Sequence, residues 1–186
     1  MDFIYTAIID RFNNNQALFT DVNLQPIKHF DLFKGQYIYP ELHLPYKRPA
    51  IFYAYLANWK SRSGKLDQEG TLQVRLHIEL ENYGQSFGHS QNRDYALQIF
   101  EYHKRINALV HGFSGTNFTP LKRVLSEPDE APAQTNVEVL TYETKVVDET
   151  AQQFKDNGLI KEPLDEMTTT EKPQEIGQGK TSQYII

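Results

Sequence analysis

The chain has 186 residues, a net charge of -5 and no cysteine, and 39% of it is hydrophobic and 12% aromatic. That apolar share is enough for one folded core plus an appendage and too high for a disordered chain. The missing cysteines exclude disulfides, thiolate zinc sites, iron–sulfur clusters and a cysteine nucleophile. No basic n-region follows Met1, and no apolar run approaches the roughly 18 residues of a membrane span, so a soluble, unprocessed chain in a reducing cytoplasm is expected.

Asp2 can cap a first helix whose apolar positions Ile4, Ala7, Ile8 and Phe12 recur at helical spacing, with Asn13, Asn14 and Asn15 as the stop. Residues 16–50 hold Pro26, Pro40, Pro45, Pro49 and Gly35 among scattered aromatics, which predicts an ordered loop with one short strand. Phe30, Leu32, Phe33, Tyr37, Ile38 and Tyr39 make this loop too apolar for a solvated linker. It must pack on the domain or on a neighbour. Residues 50–60 are rich in β-formers and apolar on both faces, predicting a strand.

After a polar connector, Leu72, Val74, Leu76, Ile78 and Leu80 alternate with Gln73, Arg75, His77, Glu79 and Glu81, the clearest strand pattern in the chain. One face should lie on the core and the other meet water or a partner. Asp94 is the expected cap of a second helix ending at Gly112, with Tyr95, Ile99, Tyr102, Ile106, Leu109 and Phe113 as its apolar stripe. The β-rich runs 118–127 and 136–148, separated by turn-forming residues, predict a hairpin with a long loop. Val137, Val139, Leu140, Tyr142, Val146 and Val147 break strict alternation, which predicts a bulge or burial on both faces. From Ala151 the composition turns polar, giving a domain over 1–150 and an extended arm over 151–186 that ends in the apolar Tyr184, Ile185 and Ile186. The expected fold is α+β: a mostly antiparallel sheet of about four strands on two helices, with a long polar C-terminal arm.

Between Asp148 and Ile186 eight acids face four lysines, so the acidity sits mostly in the arm and the body is nearly neutral. Such a body lacks the broad basic face that displaces counterions from phosphates, which speaks against tight nucleic-acid binding. The six histidines show no ligand spacing: His103 and His111 stand more than two helical turns apart, so no metal site is expected. His77 reads as a solvated or interfacial imidazole on a polar strand face. Glu79 and Glu81 share that face about 7 Å apart, a spacing that superficially suits paired carboxylates in glycoside hydrolysis, but exposed charge explains them as well. Gly177–Thr181 resembles the end of a phosphate loop without its earlier glycine or preceding strand. No catalytic residue or cofactor is expected.

The layout of helix, aromatic loop, two strands, helix, two strands and polar tail, carried by residues 51–62, 71–84, 94–113 and 136–150, resembles the tail-terminator and neck proteins of tailed bacteriophages. The resemblance covers about residues 1–150. It implies a non-enzymatic virion protein, made in the host cytoplasm, that forms a ring with copies of itself and with connector and tail proteins, closing the tail or joining it to the head, with DNA passing through the ring. The family has no invariant motif, so no site residue is carried over. A ring subunit needs two different mating patches. The face bearing Arg75, His77 and Glu79, the loop residues Phe33, Tyr37 and Tyr39, and the tail residues Tyr184, Ile185 and Ile186 are the expected subunit contacts. The alternatives are an adaptor ring between portal and tail, a small ligand-binding domain or enzyme with an aromatic pocket at Tyr53, Tyr55 and Trp59, and a nucleic-acid binder.

Overall fold

The alternation from Leu72 to Leu80 forms the middle of a sheet in the computed structural model, which describes residues 2–62, 66–81, 87, 89–91, 93–129 and 136–159. The chain runs α1 (Asp2–Asn13), α2 (Ala17–Thr20), β1 (His29–Leu32), a short 3-10 turn (Pro40–Leu42), β2 (Ala50–Ser61), β3 (Gln68–Leu80), α3 (Arg93–Ala96), α4 (Gln98–Val110), β4 (Lys122–Pro128), β5 (Asn136–Asp148) and α5 (Thr150–Asp156). The fold is mixed α/β, with a five-stranded sheet in the order β1-β2-β3-β5-β4. β1 lies parallel to β2, and the other pairs are antiparallel. The sheet has five strands where about four were expected; the fifth is the one short strand expected within residues 16–50, residues 29–32, which pair with the start of β2.

Pairing of β3 is continuous on both sides. Ala50↔Glu79 through Ser61↔Gln68 join it to β2, and Gln68↔Asp148 through Leu80↔Asn136 join it to β5. Because side chains alternate along a strand, Leu72, Val74, Leu76 and Ile78 all point to one face, where they are fully buried against Ile4, Ile8 and Phe12 of α1 and Ile99, Tyr102 and Ile106 of α4. Each such side chain contributes about 1.5–3 kcal/mol on burial. Across the sheet a smaller cluster forms from Tyr37, Ala50, Phe52 and Val137, with Phe33, Ile38 and Tyr46 packed on it. The broken alternation of β5 is therefore burial on both faces: Val137 and Val139 point to the smaller cluster's side, Leu140, Tyr142 and Val146 to the helices. The irregularity in pairing lies instead in β4, between Arg123 and Leu125.

The second helix is split where one element was expected. α3 ends at Ala96, Leu97 makes a turn, and α4 carries the stripe Ile99, Tyr102, Ile106 and Leu109 to Val110. Tyr95, ahead of the break, is off that stripe and half exposed. Gly112 has φ +79° and open space where a Cβ would stand, so it is the left-handed backbone after the helix, and not crowding, that favours glycine there. The expected arm begins as α5; residues 160–186 lie outside the described residues.

Trp59 pairs with Gly70 across β2 and β3, and its ring covers the glycine. A Cβ on Gly70 would meet Trp59 Cε3 at 2.7 Å and the Asn58 carbonyl oxygen at 3.1 Å. Gly70→Ala is expected to lower stability by about 1–3 kcal/mol, the usual cost of overpacking. Urea unfolding followed by fluorescence of Trp59, the one tryptophan in the chain, measures it; an unchanged midpoint would show that the ring swings aside freely.

Candidate functional site

The polar side of β3 is where sequence and structure part company. Of its residues expected to meet water or a neighbour, His77 is only 4% exposed and Glu79 0%. The chain's own segment 33–48 folds over them, because Phe33, Tyr37 and Tyr46 have an apolar surface to bury and Phe52 and Val137 offer it on that face. The expectation of subunit contacts at His77 and Glu79 is thus corrected: both are inside the chain. Arg75 remains exposed and reaches Glu127 of β4 at 3.4 Å.

A buried carboxylate needs its charge matched. Arg48 Nε donates to Glu79 Oε1 at 2.8 Å and the Tyr46 hydroxyl donates to Oε2 at 2.6 Å. The Arg48 guanidinium also lies 5.2 Å over the Tyr46 ring, and His29 stacks on the same ring at 5.2 Å and lies tilted against Phe52 at 5.8 Å. Burial, then the Glu79 bond, pushes the Tyr46 hydroxyl up from its usual value, so it stays a donor.

Beside this pair sits a second network. The Tyr37 hydroxyl donates to Asp129 Oδ2 and lies 2.6 Å from His77 Nδ1. A phenol has one proton, so the His77 contact requires the imidazole Nδ1–H to donate to the Tyr37 oxygen. The neutral ring then carries its lone pair on Nε2, which is buried without a hydrogen-bond partner among the described residues. Phe33 stacks on the same ring at 4.2 Å and 9°. Burial, and then the Arg75 guanidinium, pulls the His77 pKa down to about 4 against the opposing pull of Asp129. On the helix side, burial and Arg123 lower His103 to about 4 as well, while burial raises its 3.8 Å neighbour Glu138.

The other expected contact residues scatter. Phe33 is half-buried and Tyr37 buried in the smaller cluster, whereas Tyr39 is 54% exposed. Tyr184, Ile185 and Ile186 lie outside the described residues. Glu81 leaves the pair with Glu79 altogether, being exposed at the strand end, where its carbonyl accepts from the Tyr95 hydroxyl at 2.8 Å. Tyr53 is buried under α1, with Tyr5 edge-on to its ring, while Tyr55 is exposed and Trp59 lies on Gly70. One cavity, of about 140 Å³, is lined by Gln25, Arg48, Glu81, Tyr95, Gln98 and Tyr102 among others. Another, of about 400 Å³, is lined by Asn58, Lys60, Arg62, Glu69, Thr71 and Lys145 among others. Neither includes Tyr53, Tyr55 or Trp59, and both mix charges of opposite sign. No group of three or more metal-ligating side chains occurs among the described residues, and no helix there is long and apolar enough to cross a membrane.

Large apolar side chains are exposed at several places among the described residues, Tyr55 and Leu56 on β2 and Val124 and Leu125 on β4 among them, and two further groups stand on the covering segment and at the helices. Leu42 and Leu44, 73% and 88% exposed, stand with Tyr39 on the segment that covers the polar side of the sheet. Tyr95, Leu97 and Phe100 are exposed around the start of α4, on the helix side. No linear pattern signals this division, nor marks Tyr46, Arg48 and Asp129 as partners, since each meets a residue more than 30 positions away. No family model matches the chain, and no curated protein matches it in sequence.

Glu79→Ala leaves Arg48 and Tyr46 facing each other without the carboxylate, and is expected to cost about 3–5 kcal/mol, as for other broken buried pairs; Glu79→Leu combined with Arg48→Met is expected to cost far less. Chemical denaturation of the two variants separates a charge that merely needs matching from one the fold depends on. The lowered histidines give a second expectation. An unfolded imidazole takes its proton near pH 6.5 and these folded ones only near about 4, so between those values the unfolded chain binds more protons. Stability is therefore full above about pH 6.5 and declines as pH falls toward 4. Urea midpoints at pH 7, 6 and 5 should fall in that order, and less steeply in His103→Gln; a flat profile in the unaltered chain would refute the burial of these rings.

Proposed function

We propose that the chain is a non-enzymatic structural subunit of a protein assembly and, following its resemblance to tail-terminator and neck proteins, a ring subunit of a tailed-phage particle. The observation that carries this reading is that, among several exposed apolar side chains, Tyr39, Leu42 and Leu44 stand on the segment covering the polar side of the sheet and Tyr95, Leu97 and Phe100 at the helices of the other side. Two unlike patches are what a head-to-tail ring requires, since each copy presents one to each neighbour. Exposed leucines at this level draw protein partners. The ionisable groups on the polar strand face also support it: Glu79 and His77 are matched to residues of the same chain. The polar composition from Ala151 onward is in keeping with a segment that contacts neighbouring subunits in such a ring.

A second reading, a small ligand-binding domain, draws on the cavity of about 140 Å³ beside Arg48 and Glu81, whose opposite charges would suit a small zwitterion. A thermal-shift screen of amino acids decides for or against it.

Leu42→Asp and Leu44→Asp change side chains that touch little of their own chain, so the fold should hold, with stability within about 0.5 kcal/mol. Under the assembly reading the double variant loses its oligomers in native mass spectrometry while circular dichroism stays the same. A chain that is a monomer at every concentration, alone and with tail or connector proteins, would count against the ring.

A further inference from the structure

The two edges of the sheet are built differently. β4 carries Lys122 and Arg123, a pairing irregularity between Arg123 and Leu125, and Pro128 at its end. Basic side chains, bulges and proline are the devices that keep an edge strand from pairing with another chain. At the opposite edge, β1 covers only Ala50–Tyr53 of β2. The rest of β2, Ala54 to Ser61, has no strand beside it among the described residues. It holds no proline and no irregularity, and no charge before Lys60. Tyr55 and Leu56 are more than half exposed along it.

The direction of its free backbone groups follows from one bond. Phe33 N–H donates to the Tyr53 carbonyl at 2.8 Å, so Tyr53 faces the β1 side. In a strand the N–H and C=O of every second residue face the same side. Tyr55, Ala57, Trp59 and Ser61 therefore point their donors and acceptors outward.

We infer that this half-edge of β2 pairs antiparallel with the same half-edge of a second copy about a two-fold axis. Phe33 takes the position beside Ala54, so an incoming strand can reach no further than Tyr55. Ser61, the last residue of β2, falls there when the axis passes at Asn58. In that register Tyr55 exchanges backbone bonds with Ser61 of the partner subunit, and Ala57 with Trp59 of the partner subunit, which uses every outward group. On the helix side the small Ala57 receives the partner's Trp59. On the other side Asn58 meets the partner's Asn58, amide to amide, and Lys60 meets the partner's Leu56. No like charges face each other, and an isologous contact requires that self-complementarity. This contact is separate from the head-to-tail contacts proposed above: rings carrying it would be joined in pairs by two-fold axes.

The test is sedimentation velocity and native mass spectrometry of the full chain. The unaltered protein should give species with an even number of chains. Asn58→Lys and Asn58→Asp each place two like charges across the axis at an exposed position and should halve the mass, as should Ala57→Pro, which removes an outward N–H. An equimolar mixture of Asn58→Lys and Asn58→Asp should restore it, and Asn58→Ala should leave it unchanged. Circular dichroism confirms that each variant is folded, and a misfolded Ala57→Pro leaves the two Asn58 variants to decide. A single-chain mass at all concentrations, an odd number of chains, or a mass unmoved by both charged Asn58 variants overturns the pairing. The last two outcomes leave the ring reading standing, whereas loss of pairs with Leu42 and Leu44 intact does not touch it.

Discussion

A carboxylate shut away from water is tolerable only if other groups replace its hydration, and in this protein that demand falls on Glu79. Its two oxygens take a guanidinium N–H from Arg48 and a hydroxyl from Tyr46, which ties the proline-rich segment to the middle of the sheet at a defined place. With that segment held, Tyr37 can reach His77 and Asp129, and Phe33 can lie flat on the imidazole. The apolar contacts around Phe52 and Val137 give the cover its adhesion. The charge gives it position. A hydrophobic cover alone could slide by a residue with little loss, whereas a buried ion pair tolerates no such shift.

This arrangement changes what the outer surface can be used for. With the far end of the polar face of β3 closed by the chain itself, what that side offers to the outside is the covering segment, with Leu42 and Leu44 exposed on it. The interior ion pair and the exterior leucines are two results of one packing event. The same short β1 that opens the covering segment leaves most of β2 without a strand on that side among the described residues, while β3 pairs its other side throughout.

Much of the framework was legible from the residues. The alternation along β3, the helical stripes of α1 and α4 and the glycine past the second helix all depend on neighbours within a few positions, so a linear pattern carries them. The hairpin of β4 and β5 was visible for the same reason. What could not be read was the fate of polar groups. Whether Glu79 meets water or Arg48 depends on a loop that returns from 31 positions earlier, and whether His77 is solvated depends on Tyr37 and Asp129, 40 positions before it and 52 after. A strand pattern of apolar and polar residues states which face is which; it does not state what arrives to cover the polar one. The break at Leu97 is not visible in the sequence because Tyr95 and Ile99 stand at helical spacing on either side of it, although only Ile99 is buried.

The placing of β5 beside β3 shapes how the chain reaches this structure. β2 and β3 are joined by a short connection and can zip together as soon as both exist, but β3 waits for a partner that follows more than 50 residues later, with α4 and β4 in between. Closing so long a loop is entropically slow. On a ribosome the nascent hairpin would stand with one flank of β3 unprotected until the final strand emerged, its apolar side sheltered in the meantime by α1, already made, and then by α4.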